Sequence, residues 1–166
     1  MSPEIIIRDN HLSQIQIQDL ENFLLSNEFP YYYNINIAGE DDDKTDTHMF
    51  NHRLMIKNKE CSNVGKMITN IIMNGITHNN ILRSKINLYL KTDSLKLHKF
   101  HKDTEQENTK IALFYINTNN GYTEFEDGTI VESVRNRLVL FPCNLKHRST
   151  TTTDTRHRLN VNINYD

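Results

Sequence analysis

The sequence predicts a mostly β domain, a β-sandwich or jelly roll with two supporting N-terminal α-helices, on three observations. Beyond residue 83 no helical periodicity recurs, while short strand-like runs follow one another at 83–91, 95–100, 110–117, 122–125, 129–134, 137–141, 146–150 and 156–165. Turn-forming clusters separate these runs, Asn119-Asn120-Gly121 and Glu126-Asp127-Gly128 being the clearest, and the second predicts a hairpin turn of the primed type. Ahead of them lie two amphipathic helical patterns. Many short strands at fairly regular spacing argue a sandwich or jelly roll, with the helices supporting one sheet.

The elements follow in order. Residues 2–8 contain Glu4-Ile5-Ile6-Ile7, a β-branched run suited to an edge strand. Ser13 with Gln16 three residues on forms a capping box, and Ile17, Leu20, Phe23 and Leu24 recur at helical spacing up to Ser26-Asn27. Phe29-Pro30-Tyr31-Tyr32-Tyr33-Asn34 breaks that helix and opens an aromatic strand, read as core or sheet face. Residues 39–44 (Gly-Glu-Asp-Asp-Asp-Lys) form a polar loop or flap without the internal glycine and terminal glutamate of a calcium loop. Residues 50–57 return as a strand. From 63 to 76, Val64, Met67, Ile68, Ile71 and Ile72 mark the second helix, whose stripe is core. Its spacing fades at Asn74-Gly75. Residues 83–91 then alternate with period two, as a half-buried strand does.

Length and composition bound the function. A chain of 166 residues suits one domain with a real core, here divided into residues 1–82 (helical support and N-terminal strands) and 83–166 (the jelly-roll core). Net charge is −2 and the pI about 6.4, so no basic field announces a nucleic-acid partner. Cys61 and Cys143 are far apart and lack zinc-type spacing, and the first residues show no charged segment followed by an apolar core. A reducing, cytoplasmic setting is expected. With mean hydropathy −0.63 and no long apolar run, no membrane span is expected.

The chemistry centres on Leu97-His98-Lys99-Phe100-His101-Lys102-Asp103. If this stretch is a strand, His101 and Asp103 leave the same face, close enough to share one cation. His147 could complete the set. Two imidazoles and a carboxylate on one face of an octahedral ion suit non-heme Fe(II), leaving three positions for reactants. His98 is out of phase with His101 and is expected outside the set, His157 is expected to be bland, and His11, His48, His52 and His78 read as surface or loop residues.

In context, residues 83–165 resemble the double-stranded β-helix of the Fe(II)/2-oxoglutarate-dependent oxygenases, in particular the prolyl-4-hydroxylase-like branch with its short viral members. Five pieces carry the resemblance in order: His101-x-Asp103; the strand Leu113-Phe114-Tyr115-Ile116-Asn117; Asn120-Gly121-Tyr122-Thr123-Glu124-Phe125; Arg137-Leu138-Val139-Leu140-Phe141-Pro142 leading to His147; and Arg156-His157-Arg158-Leu159-Asn160-Val161-Asn162. Asn120 departs from the family's first glycine there, and the last piece offers two arginines where one is expected.

The resemblance implies a dioxygenase that uses Fe(II), 2-oxoglutarate and O2, hydroxylates a second substrate and releases succinate and CO2. His101, Asp103 and His147 would be the metal ligands and catalytic centre. The distal carboxylate of 2-oxoglutarate suits a guanidinium, which offers paired donors in a fixed plane. Strand geometry does not choose between Arg156 and Arg158, but the motif aligns Arg156 with the anchor and makes it first choice. Tyr115 is expected to hydrogen-bond the same carboxylate, and Asn87, Tyr89, Asn160 and Asn162 are possible pocket residues. Peptidyl proline, another protein side chain or an amino acid is the expected substrate, with nucleic acid disfavoured and, for a viral member, the host cytoplasm the site of action. The rivals are a cupin-like metalloenzyme that does not use 2-oxoglutarate and a non-catalytic jelly-roll binding protein.

Overall fold

The computed structural model describes residues 4–34 and 48–166, so the polar loop at 39–44 lies outside the described residues. Among the described residues eleven strands and two helices follow one another: β1 (Ile6–Arg8), α1 (Gln14–Leu24), β2 (Tyr32–Asn34), β3 (Met49–Ile56), β4 (Lys59–Glu60), α2 (Gly65–Met73), β5 (Ile81–Leu90), β6 (Lys110–Tyr115), β7 (Tyr122–Phe125), β8 (Ile130–Glu132), β9 (Arg137–Pro142), β10 (His147–Ser149) and β11 (His157–Tyr165). The larger sheet runs β1-β9-β6-β11-β5-β3-β2, with β4 added to β3, and the smaller runs β10-β7-β8. All of these strand pairs are antiparallel. The result is a jelly roll in which the N-terminal half supplies β1, β2 and β3 to the same sheet as the C-terminal half. The division expected at residue 82 is therefore no structural boundary, because β5 begins at Ile81.

Each helix forms where its apolar period meets that sheet. Ser13 caps α1 in the expected box: its hydroxyl accepts from the Gln16 amide at 3.3 Å, and the Gln16 side chain accepts from the Ser13 amide at 3.0 Å. Ile17 and Leu24 from α1, with Ile68 and Ile72 from α2, are fully buried against Ile86, Phe114, Leu159, Val161 and Ile163. Burying each such side chain contributes about 1.5–3 kcal/mol. A second cluster (Ile111, Leu113, Tyr115, Phe125, Val131, Val139, Phe141) fills the space between the sheets. Strand β6 thus buries both faces, which is why Ile111 to Tyr115 read as an unbroken apolar run.

Several expectations are corrected. Residues 95–100 are no regular strand; Leu97 and His101 make isolated bridges to Thr150 and His147. The turn at Glu126-Asp127-Gly128 is not primed, since Gly128 alone in it has positive φ (87°) while a type I′ turn needs two such residues; Phe125 N–H bonds Thr129 O and Gly128 N–H bonds Phe125 O, as in a three-residue hairpin with a glycine bulge. The aromatic strand divides: Phe29 is core, whereas Tyr32 and Tyr33 on the sheet edge are about 60% exposed. His52 is buried in β3, its Nδ1 2.7 Å from Pro30 O, instead of lying at the surface. No described helix is long and apolar enough to cross a membrane.

Candidate active site

One face of the larger sheet is polar where a sandwich interior is ordinarily apolar. Side chains alternate along a strand, so Leu159, Val161 and Ile163 of β11 face the helices while Arg158, Asn160, Asn162 and Asn164 face the smaller sheet. Register carries this face across to β5, where Tyr89, Asn87, Lys85 and Arg83 stand opposite those four residues in turn. Asn87 Nδ2 donates to Asn160 Oδ1 at 3.0 Å. Over this floor lies a recess of about 400 Å3 including its open mouth, lined by Lys85, Asn87, Tyr89, His101, Asp103, Leu113, Thr123, His147, Ser149, Arg158, Asn160 and Asn162.

The metal-ligating atoms of His101, Asp103 and His147 lie within 4.8 Å of one another. Although residues 97–103 are not a strand, the bridge does the aligning: His101 N–H bonds His147 O and His147 N–H bonds His101 O, both at 3.0 Å, and the rings sit 4.7 Å apart. Each ring sets Nδ1 3.2 Å from a carbonyl two residues back, Lys99 O and Leu145 O. Such a contact fixes Nδ1 as the protonated nitrogen and leaves the Nε2 lone pair for a cation. Burial holds the His147 pKa down, aided by His101 and opposed by Asp103, which favours the neutral ligating ring.

Asp103 is held from two sides. Arg83 Nη2 donates to its Oδ1 and Asn162 Nδ2 to its Oδ2, each at 2.8 Å. Burial pushes its carboxyl pKa up, but the charges of Arg83 and Lys85 and the Asn162 hydrogen bond outweigh that and hold it well below the usual carboxylate range. Two imidazole nitrogens and a carboxylate oxygen fit a divalent first-row metal with open positions.

The two arginines separate. Arg156 is exposed in the bend before β11 and does not line the recess, so its ranking ahead of Arg158 is corrected. Arg158 is fully buried and lines it. Its guanidinium donates to Ser133 Oγ (2.8 Å), Thr123 Oγ1 (3.2 Å) and Thr150 O (3.4 Å), and has no carboxylate partner among the described residues. The motif also fits two residues later, with Asn160 as the small polar residue and Val161 as the aliphatic one.

Tyr115 is fully buried behind Arg158 and does not line the recess. Its hydroxyl donates to Thr123 Oγ1 at 2.7 Å, which also accepts from Arg158. Thr123, and not Tyr115, therefore presents its hydroxyl to the recess. Gly121 is required here: a Cβ would meet Thr151 O at 2.5 Å and Arg158 Cδ at 2.6 Å. Asn120, in place of a glycine, leaves the anchor undisturbed because its amide turns outward, donating to Thr153 Oγ1 at 2.6 Å and accepting from Thr153 N–H at 3.0 Å.

The recess also contains Asn87, Tyr89, Asn160 and Asn162, all expected there, and Lys85, Thr123 and Ser149, which sequence reasoning did not single out. Period-two alternation from Tyr89 through Asn87 would have reached Lys85 and Arg83. Burial lowers the Lys85 pKa to about 8, with Arg83 and Arg53 adding to the effect and Asp103 opposing it. His98 lies outside the triad, its ring stacked on Tyr89 and its Nδ1 2.6 Å from Ser149 Oγ.

No family model matches the chain and no curated protein matches it. Solved structures do match. A 2OG-Fe(II) oxygenase family oxidoreductase from Burkholderia pseudomallei aligns at TM-score 0.73 and 14% identity over 98% of this chain and 84% of that one. A Pseudomonas putida prolyl-4-hydroxylase aligns at 0.64 and 15% over 99% and 93%. A Trichoplax adhaerens prolyl hydroxylase, in complex with a peptide fragment of a hypoxia inducible factor, aligns at 0.64 and 12% over 97% and 82%. The chain therefore has the jelly-roll fold of the 2OG-Fe(II) oxygenases.

Proposed function

We propose that this chain is an Fe(II)- and 2-oxoglutarate-dependent dioxygenase that hydroxylates a second substrate and releases succinate and CO2. The observation that carries the reading is a fully buried guanidinium, Arg158, without an anionic partner among the described residues, in the same recess as the two-histidine, one-carboxylate triad. An unpaired buried charge is costly, by several kcal/mol, unless something of opposite sign meets it. A diacid that reaches from Arg158 to a metal does so.

His101, Asp103 and His147 would hold the metal, which when bound with co-substrate and O2 supplies the oxidising chemistry. The chain's own residues do the positioning. Arg158 and the Thr123 hydroxyl hold the distal carboxylate; Asn162 and Arg83 fix the Asp103 carboxylate; Tyr89 and Leu113 close the walls against water. Peptide or amino-acid side chains are the favoured substrates, since one structural neighbour is a prolyl hydroxylase in complex with a peptide. A cupin-like enzyme that ignores 2-oxoglutarate would have no use for Arg158.

The test is anaerobic addition of Fe(II) and 2-oxoglutarate, followed by air. A weak visible charge-transfer band that needs both reagents, then succinate, is the expected result. A protein that binds the metal and gives neither signal is not this enzyme.

A further inference from the structure

We propose that the second substrate is bound through a carboxylate, gripped by Lys85 with Arg83 behind it, at the triad's end of the recess. The inference rests on the oxygenase reading and adds the chemical class of the acceptor. Lys85 lines the recess, yet its ammonium makes no hydrogen bond or ion pair among the described residues. Its neighbours on the same face of β5 are also incompletely used: Arg83 Nε and Asn87 Oδ1 are both buried and have no hydrogen-bond partner. The two inward positions flanking half-buried Lys85 thus present buried atoms that their own protein does not satisfy, where nearly all buried polar groups are satisfied.

Charge points the same way. Lys85, Arg83 and Arg158 stand against one carboxylate, Asp103, in and around the recess. A divalent metal and a doubly charged co-substrate cancel each other, so a surplus of positive charge remains after both have bound. Arg53, opposite Lys85 on β3 and exposed, extends it to the rim. Register places this surplus away from the co-substrate anchor: Arg158 pairs with Tyr89, and Lys85 lies four residues further along β5, about 13 Å at the usual strand rise. Asn162, the cross-strand partner of Lys85, is the residue that holds Asp103. An anion on Lys85 would therefore sit beside the metal, where an acceptor C–H must be presented.

The carboxylate has two sources, a free amino acid or an acidic residue in a peptide, and the experiment separates them. Succinate release from 2-oxoglutarate is measured with the twenty L-amino acids against their carboxamides, and with capped hexapeptides containing Asp or Glu against the same peptides containing Asn or Gln. At least one acid is expected to stimulate release tenfold or more over its neutral twin, and Lys85→Met or Lys85→Gln to bring the pair within twofold. Calorimetric titration of that acid into the wild-type protein, loaded with Fe(II) and 2-oxoglutarate without O2, should show binding that weakens at least tenfold in either variant. Equal response to acid and neutral twin overturns the inference. So does a loss of 2-oxoglutarate affinity in Lys85→Met as large as the loss of acid affinity, which would make Lys85 a co-substrate contact. If the oxygenase reading itself fails, the wild type gives no 2-oxoglutarate-dependent succinate even without added acceptor; if this inference alone fails, that background turnover persists.

Discussion

Replacing Arg158 with methionine should remove co-substrate binding while leaving the fold standing. The guanidinium is fully buried, and three oxygens (Ser133 Oγ, Thr123 Oγ1, Thr150 O) fix its plane. A carboxylate meeting it in the recess gains paired, charge-assisted bonds at about 1.5–3 kcal/mol each, so losing two weakens binding by about 3–6 kcal/mol. At about 1.4 kcal/mol per decade, KM for 2-oxoglutarate rises by about 10²- to 10⁴-fold. Arg158→Lys keeps the charge and loses the planar donor set, so it should recover part of that. Stability follows a different rule. The charge has no buried counter-ion among the described residues, and methionine fills similar volume against the Tyr89 and Tyr115 rings, which lie 5.4 and 5.5 Å from the guanidinium carbon. The unliganded variant should therefore unfold at the same or a higher urea concentration than the wild type. The assay is succinate release against 2-oxoglutarate concentration, with urea unfolding alongside and Arg156→Ala as the control. A folded Arg158→Met protein whose KM stays within threefold of wild type, or a large loss in Arg156→Ala, refutes the reasoning.

The remaining predictions concern the floor and rim of the same recess. His101→Ala and Asp103→Ala should each abolish Fe(II) binding by calorimetry. The His101 change should leave urea stability within about 1 kcal/mol, because its side chain is 24% exposed, whereas Asp103→Ala strands Arg83 and should lose about 1–3 kcal/mol. Lys85→Met should stabilise the fold by about 1–3 kcal/mol at pH 7: the folded-state pKa of about 8 lies below the unfolded value of 10.5, so charged Lys85 disfavours folding at low pH. As pH rises from 8 toward 10.5 the unfolded chain holds the extra proton, wild-type stability recovers, and the advantage of the variant should fade; a constant difference across that window would show that Lys85 is not desolvated as described. Gly121→Ala drives a Cβ into Thr151 O and the Arg158 side chain, so it should lose about 1–3 kcal/mol and raise the 2-oxoglutarate KM together; an unchanged KM would detach that glycine from the anchor.

What was legible in the sequence was what period alone determines. The Ile68 and Ile72 stripe gave the second helix, and the alternation in β5 and β11 put Asn87, Tyr89, Asn160 and Asn162 on one face. The spacing of His101 and Asp103 pointed to a pair that the structure does bring together with His147, but not by the strand geometry expected. Residues 97–103 are not a regular strand, and one bridge to His147 aligns them, a long-range pairing that no local pattern reports. The two arginines were a question of where β11 begins, and strand ends are set by which carbonyl finds a partner. Here β11 begins at His157, where Asn117 holds it by accepting from Leu159 N–H and donating to His157 O, and Arg156, whose carbonyl accepts from Lys91 N–H, lies in the bend before it. Lys85 was passed over because a lysine in an alternating strand ordinarily reaches solvent.

The same alternation explains why this sheet can hold a site at all. An interior face carrying Arg158, Asn160, Asn162 and Asn164 would destabilise a sandwich unless its polar groups found partners. Most do: Asn87 with Asn160, Asn162 with Asp103, Arg158 with Ser133 and Thr123. Part of the shortfall falls on this face, and part lies elsewhere, as at His52 and Thr109. Asn87 Oδ1, Arg83 Nε and Asn164 Oδ1 are buried without partners, and all lie on β5 and β11 facing the recess or its rim. Arg83 and Asn164 are themselves opposite one another in register. On the helix side of the sheet Thr69 Oγ1 donates to Ser84 Oγ at 2.9 Å, while His52 Nε2 is buried without a partner. The unmet capacity of Asn87, Arg83 and Asn164, beside a triad of cation donors and a guanidinium without a counter-ion among the described residues, is what a polar ligand would complete. The stability forgone on that face is the free energy that binding of co-substrate and acceptor can recover.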